Sequence, residues 1–244
     1  METLWGPALV LMAVVILVGA IVQGSVGFGH ALVSAPVAML VLPELVPGPI
    51  IVVSLGVTLA TLARDHKTMG RPQGLLWILV GLFPGLGLGS QALVLLSLRE
   101  TDLFFGGAVL VTAGISFAGW RVRIHPLTLV PAGLLAGFMS ITTTMGGPPL
   151  AIALQELPGP QLRGTLAFSF IVSTLTSLSV LHAIHRFGSK ELSVGLSLLP
   201  FALLGVFLSA PLAHWLDRGR TRTAVLLLAA AAGLLVIIRQ LTPT

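Results

Sequence analysis

The chain consists largely of long apolar runs, separated by short charged or glycine- and proline-rich segments. A bilayer core about 30 Å thick needs roughly 20 helical residues, and the runs at 74–98, 161–184, 191–216 and 222–241 reach that length. Only 9% of the 244 residues are charged, against about 25% in ordinary globular domains. No polar interval is long enough to build a soluble domain. These features predict an all-α integral membrane protein.

Two stretches interrupt the apolar sequence with glycine, hydroxyl residues and proline. We call residues 23–30 (Gln-Gly-Ser-Val-Gly-Phe-Gly-His) the first break and residues 142–149 (Thr-Thr-Thr-Met-Gly-Gly-Pro-Pro) the second break. Irregular backbone inside hydrocarbon is tolerated only where it is buried in protein or lines a polar cavity, and a matched pair of such breaks points to a transporter's binding site. The apolar segments that follow, 30–42 and 149–157, are too short to span a bilayer and are predicted to be half-helices.

Break, short segment and proline-marked turn occur in the same order in both halves of the chain. This order predicts two inverted repeats of about five segments each, residues 1–122 and residues 123–244, forming one membrane domain. If each break is a hairpin tip, nine of the thirteen Lys and Arg residues fall on one side of the membrane; if each break interrupts one continuous span, the best split is eight to five. The positive-inside rule favours hairpins modestly, so the sequence leaves both arrangements open.

Neither break contains an acidic residue, and both offer neutral hydrogen-bond donors. A half-helix that begins at a break would add the partial positive charge of its N-terminus, which favours an anion, whereas a cation site would need carboxylates or carbonyl rings. The alternative is that the glycines only permit close helix packing. The predicted substrate-binding residues are Gln23, Ser25, Gly27, Gly29, His30, Thr142, Thr143, Thr144, Gly146 and Gly147.

Three further features each allow a functional and a structural interpretation. His30 could take up a proton together with the substrate, but a neutral histidine hydrogen-bonded at a helix start is the favoured interpretation. Arg163 could attract anions, although anchoring at a cytoplasmic edge is favoured. Glycines recur every four residues at Gly81, Gly85 and Gly89, which predicts close helix contact rather than a phosphate loop.

Several function classes lack support in the sequence. The chain has no cysteine, no serine-hydrolase or zinc-protease motif and no pair of aspartates at membrane depth, so we expect no enzyme activity, cofactor or metal. Basic residues stand singly at the ends of apolar runs, which is typical of membrane loops and not of nucleic-acid-binding surfaces.

The chain resembles the TauE/SafE family of membrane proteins, the sulfite exporters and sulfonate permeases, over essentially its whole length. The resemblance rests on Gln23–Gly29 continuing to Pro36, and on Gly133–Gly137 leading to Gly146–Pro149. It implies a secondary transporter of the bacterial inner membrane that moves sulfite, a sulfonate or a similar anion, as an exporter. His30 and Thr142–Thr144 depart from the usual family pattern, so the identity of the anion stays open.

Other functions and partners follow from the same two breaks. An anion channel with a static constriction there is the alternative function, and a non-transporting membrane subunit is a third. The expected partners are a small anion, the lipid bilayer and a coupling proton, with a homodimer as a further candidate and no nucleic acid.

Overall fold

The computed structural model describes residues 6–68, 70–95, 123–142, 144–183 and 185–217, with scattered positions beyond 217. Its helices are α1 (Pro7–Val26), α2 (His30–Val41), α3 (Gly48–Asp65), α4 (Leu75–Leu95), α5 (Pro126–Thr142), α6 (Gly147–Ala153), α7 (Gly159–Ala183), α8 (Ser189–Leu208) and α9 (Ala210–Asp217), with a 3₁₀ turn at Pro43–Leu45. No strand occurs among these described residues, which confirms the all-α prediction for them. The apolar run predicted at 222–241 lies mostly outside the described residues.

Five helices of the described part, α1, α3, α4, α7 and α8, are long and apolar enough to cross a bilayer. Large apolar side chains such as Val14 on α1, Phe83 on α4 and Phe207 on α8 point outward and are more than half exposed. A soluble protein rarely exposes so much apolar surface, whereas lipid tails are a favourable neighbour for it. The protein is therefore a multi-pass membrane protein.

The first break is a sharp turn at the end of α1. Gly27 (φ 104°) caps α1 and Gly29 (φ 123°) precedes α2, and both have backbone angles that glycine adopts without steric cost. The backbone of His30 then lies against Gly19, and the end of α2 at Leu42 shares a groove with Gly6, which precedes α1. Helix α2 therefore runs back along α1, and the first break is a hairpin tip.

The second break has the same form with a shorter returning helix. Thr144 has a positive φ of 61°, and Gly146 packs against the carbonyl of Ala136 and the side chain of Ser140 in the preceding helix. Helix α6 then begins at Gly147 with Pro148 in its first turn, where a missing N–H costs no hydrogen bond. The predictions of two short helices after the breaks are confirmed.

Glycines set the closest helix contacts of the described bundle. Gly81 lies against the backbone of Val130, and Gly85 lies against that of Leu134, so α4 and α5 touch through their backbones. A Cβ at either glycine would overlap a backbone carbonyl oxygen. The prediction of close helix contact at the four-residue glycine repeat is confirmed.

The contacts also fix the directions of the long helices. Residue numbers rise together in the pairs α4 with α5, α1 with α8 and α3 with α8, so the two helices of each pair are parallel. By contrast, Asp65 at the end of α3 pairs with Arg163 near the start of α7, so these two helices are antiparallel. The backbone N–H of Gln73, just before α4, donates to Thr165 near the start of α7. Helices α1, α3 and α8 therefore point one way, and α4, α5 and α7 point the other way.

Candidate functional site

A cavity of about 60 Å³, lined by both polar and apolar residues, lies where the two breaks meet. Phe28 of the first break packs directly against Gly147 of the second. A buried water needs at least about 10–15 Å³, so the cavity holds a few waters or one compact ion. The residues that line it are Gln23, Phe28, Gly29, Ala31, Leu32, Ile51, Ser54, Thr58, Ser140, Thr144, Met145, Gly146, Gly147, Pro148, Phe170, Ser173, Thr174 and Ser177. None of these described lining residues carries a charge.

One side of the cavity, which we call the first wall, is held by hydrogen bonds among Gln23, His30, Ser54 and Thr58. The Gln23 side chain donates to Thr58 Oγ1 at 3.1 Å and accepts the backbone N–H of His30 at 3.2 Å. The His30 ring shares a hydrogen bond of 3.0 Å between Nδ1 and Ser54 Oγ, and Thr58 donates to the carbonyl of Ser54 at 2.7 Å. These bonds fix the first break on α3 and make this wall a preformed surface.

The start of α2 adds backbone donors to the same wall. Ala31 and Leu32 line the cavity from the first turn of this twelve-residue helix. An α-helix supplies no acceptor for the N–H groups of its first turn, and its N-terminus carries partial positive charge. The first wall is therefore suited to a ligand with acceptor atoms and negative charge.

The opposite side, which we call the second wall, is formed by hydroxyl residues of α5, α7 and the second break: Ser140, Thr144, Ser173, Thr174 and Ser177. Ser173 and Ser177 are each 2% exposed. Ser177 Oγ is buried and has no hydrogen-bond partner among the described residues. The second wall therefore holds at least one donor that the protein itself leaves unused.

The sequence-predicted residues divide between the cavity and its surroundings. Those that line the cavity are Gln23, Gly29, Thr144, Gly146 and Gly147. Others lie behind the lining: the Ser25 hydroxyl donates to the carbonyl of Ile21 at 2.7 Å, and the Thr142 hydroxyl donates to that of Phe138 at 2.8 Å. Gly27 packs against Arg163, and His30 lies behind Gln23 and Ser54, two lining residues to which it is hydrogen-bonded. Thr143 lies outside the described residues. Substrate binding by these residues stays a prediction.

Helices α3 and α7 line the cavity with residues that were not among the predicted site residues. Ser54 and Thr58 are four residues apart on α3, as are Ser173 and Ser177 on α7. Hydroxyl residues at this spacing share one face of a helix, so the pattern was readable as two polar stripes. The sequence held no information on whether those stripes face each other.

A charged cluster lies beside the cavity at the end of α1, and we call Arg64, Asp65, Arg163 and Asp217 the charged clamp. Arg163 is 3% exposed and pairs with Asp65 and with both carboxylate oxygens of Asp217, at 2.8 and 3.0 Å. Arg64 pairs with Asp65 at 2.7 Å. The two positive and two negative side chains balance.

The charged clamp also holds the last turn of α1. Arg64 Nη2 donates to the carbonyl of Gly24 at 2.6 Å, and Arg163 Nη1 donates to that of Ser25 at 3.3 Å. Carbonyls at a helix C-terminus lack intrahelical donors and carry partial negative charge, so arginines stabilise them. Arg163 does not line the cavity, and its role in attracting anions stays a prediction.

The described residues contain no cluster of three or more His, Asp or Glu side chains that could hold a metal ion. The polar side chains that line the cavity are hydroxyls and one amide, and first-turn N–H groups of α2 lie beside them. Such groups bind and orient a ligand through hydrogen bonds.

Comparison with known proteins agrees with this architecture. A family model described as sulfite exporter TauE/SafE matches residues 11–236. No match was found among curated proteins or among solved structures. Since the matched region covers nearly the whole chain and includes both breaks, the chain belongs to the sulfite exporter TauE/SafE family of membrane transporters.

Proposed function

We propose that the protein is a secondary transporter that exports a small sulfur-containing anion, sulfite or a compact sulfonate, across the bacterial inner membrane. Family membership supports transport of such an anion. The observation that carries the proposal is the uncharged, hydroxyl-rich cavity at the meeting point of the two breaks.

The chemistry of the cavity favours an anion over a cation or a neutral solute. Hydroxyls of the second wall, the Gln23 amide and first-turn N–H groups can donate to oxyanion oxygens, and no carboxylate among the described lining residues competes with them. The volume of about 60 Å³ fits a compact oxyanion better than an extended substrate. Neutral donors also bind an anion weakly enough for release, as transport requires.

Alternating access is the mechanism that the helix directions support. We propose that residues 1–122 and 123–244 are inverted repeats, in which α1, α3 and α4 correspond to α5, α7 and α8. Corresponding helices point in opposite directions, as the contacts at Gly85, Gly195, Gly205 and Asp65 indicate. Each half then supplies one break, and rocking of one half against the other exposes the shared site to each face in turn.

Counterflow in proteoliposomes tests transport. A carrier exchanges labelled sulfite outside for unlabelled sulfite inside, so label accumulates transiently, whereas a channel only dissipates the gradient. Gly147→Leu should abolish both counterflow and sulfite binding, because a side chain there meets Phe28 across the break. Gly87→Leu is the matched control, since nothing lies within 4 Å of a Cβ at Gly87. Sulfite binding by Gly147→Leu at the strength of the parent protein would overturn the site assignment.

A coupling proton on His30 is a further part of the proposal. The ring is fully buried, its Nδ1 contacts Ser54 of the cavity, and its Nε2 has no partner among the described residues. If His30 carries the proton, His30→Gln removes the dependence of sulfite transport on an imposed pH gradient. If His30 only holds the first break in place, the pH-gradient dependence persists in that variant and its melting temperature falls.

A further inference from the structure

The hydroxyl of Ser177 on α7 lacks the hydrogen bond that three other hydroxyls of this helix make. Three other hydroxyls on this helix donate to the carbonyl four residues earlier: Ser169 to Thr165, Thr176 to Val172 and Ser179 to Leu175, each at 2.9 Å. That bond is the usual way for Ser or Thr within a helix to satisfy its donor. Ser177 Oγ has neither this bond nor another among the described residues, although the residue is only 2% exposed.

The position of Ser177 shows where a partner would come from. Ser177 lines the cavity from α7, and Ser54 and Thr58 line it from α3. Thr58 donates within the first wall, and Ser54 shares a hydrogen bond with His30. A buried hydroxyl without an acceptor costs free energy, so such a group in a native site calls for a ligand or an ordered water.

We propose that Ser177 is a substrate-binding residue whose hydroxyl donates a hydrogen bond to an oxygen of the transported oxyanion. The inference rests on the proposed function. It places the hydrogen-bond donor that contacts the anion from the second wall on α7, outside both breaks. The first wall fixes the anion with preformed donors from the first half of the chain. Ser177 contributes a donor from the second half, so the anion bridges the two halves.

This assignment predicts opposite changes in stability and in affinity when the hydroxyl is removed. Ser177→Ala deletes a buried polar group that has no protein partner, so the melting temperature of the unliganded protein should stay the same or rise. The variant also loses a hydrogen bond to a charged ligand, which is worth about 1.5–3 kcal/mol. The dissociation constant for sulfite should therefore rise roughly 10- to 100-fold. A merely structural serine would lower the stability and leave the affinity unchanged.

Ser169→Ala is the matched control on the same face of α7. Ser169 is two turns from Ser177 and fully buried, its hydroxyl is satisfied by Thr165, and it does not line the cavity. This control should lower the melting temperature slightly and bind sulfite as the parent does.

The experiment is isothermal titration of purified protein with sulfite, paired with thermal unfolding in the same detergent. Weaker sulfite binding by Ser177→Ala at unchanged or higher melting temperature supports the assignment. Equal sulfite affinity in Ser177→Ala and the parent overturns it while leaving the proposed function intact. Absence of binding by the parent to sulfite, sulfate, thiosulfate and sulfoacetate would remove the proposed function and this inference together.

Discussion

Two polar regions adjoin each other inside this apolar bundle, and they handle charge in opposite ways. The charged clamp holds two arginines and two aspartates in direct contact, with Arg163 and Asp65 buried, whereas the described residues around the cavity carry no charge at all. Both regions meet at the last turn of α1. The Gln23 side chain faces the cavity, while the carbonyls of Gly24 and Ser25 accept from the arginines of the charged clamp.

The difference follows from the cost of burying charge. A charge removed from water must be paired at fixed geometry, and the charged clamp does this within the protein. The cavity is left neutral, so a charged substrate finds donors there and no resident counter-ion to displace. The same bundle thus holds its helix ends with ion pairs and leaves a neutral cavity, which is the proposed site for the anion.

The largest expected effect comes from breaking the charged clamp. Arg163→Met removes the arginine that pairs with Asp217 and leaves Asp65 with Arg64 alone, and removal of one member of a buried ion pair typically costs about 3–5 kcal/mol. The apparent melting temperature in detergent should fall sharply. An unchanged melting temperature would show that the charged clamp does not stabilise the fold, so it could not be contrasted with the cavity as a structural use of charge.

A charge placed in the cavity tests the other half of the comparison. Ser140 lines the cavity and is partly buried, so Ser140→Asp should repel the substrate. Two like charges about 4 Å apart interact by roughly 4 kcal/mol at an effective dielectric constant of about 20, which predicts a loss of sulfite affinity of more than about 100-fold. Titration calorimetry measures this loss.

Ser140→Asn is the control for Ser140→Asp, since it has nearly the same shape without the charge. We expect this control to retain sulfite binding within about tenfold of the parent, a change of at most about 1.4 kcal/mol. Equal sulfite affinity in the two variants would mean that the anion binds elsewhere.

The sequence predicted the local features of these regions but not their assembly. The breaks at Gly27–Gly29 and Gly146–Gly147 and the short helices after them follow from glycine, proline and segment length, which are local properties. The second wall depends on the packing of α7 against α3, and this tertiary contact leaves only the weak four-residue spacing of Ser173 and Ser177 in the sequence. The hydroxyls of predicted site residues such as Ser25 and Thr142 donate to carbonyls of their own helices. These carbonyls compete with a ligand for the hydroxyl proton, and residue spacing alone does not show which of them wins.

The charged clamp was harder to predict for a similar reason. Arg64, Asp65 and Asp217 stand at the ends of apolar helices, where charges usually face water or lipid headgroups. Their pairing depends on the start of α7 and the end of α9 packing at the end of α3, and these contacts join residues 98 and 54 positions apart in the chain. A charged residue at a helix end can therefore face water or lipid headgroups, or it can form an ion pair inside the bundle, and the flanking sequence does not distinguish the two.

The smallest expected effect comes from an exposed ion pair, and it tests whether the charged clamp stabilises the fold because it is buried. Lys190 and Glu44 form an ion pair at 3.5 Å with side chains 76% and 80% exposed, in contrast to Arg163 at 3%. Because exposed pairs gain little in water and are screened by salt, Lys190→Met should change stability by less than about 1 kcal/mol. Thermal unfolding of Lys190→Met and Arg163→Met at low and high salt compares the same loss of a cation in two environments. If both variants lose the same free energy of unfolding, burial is not what makes the ion pairs of the charged clamp more stabilising than an exposed pair.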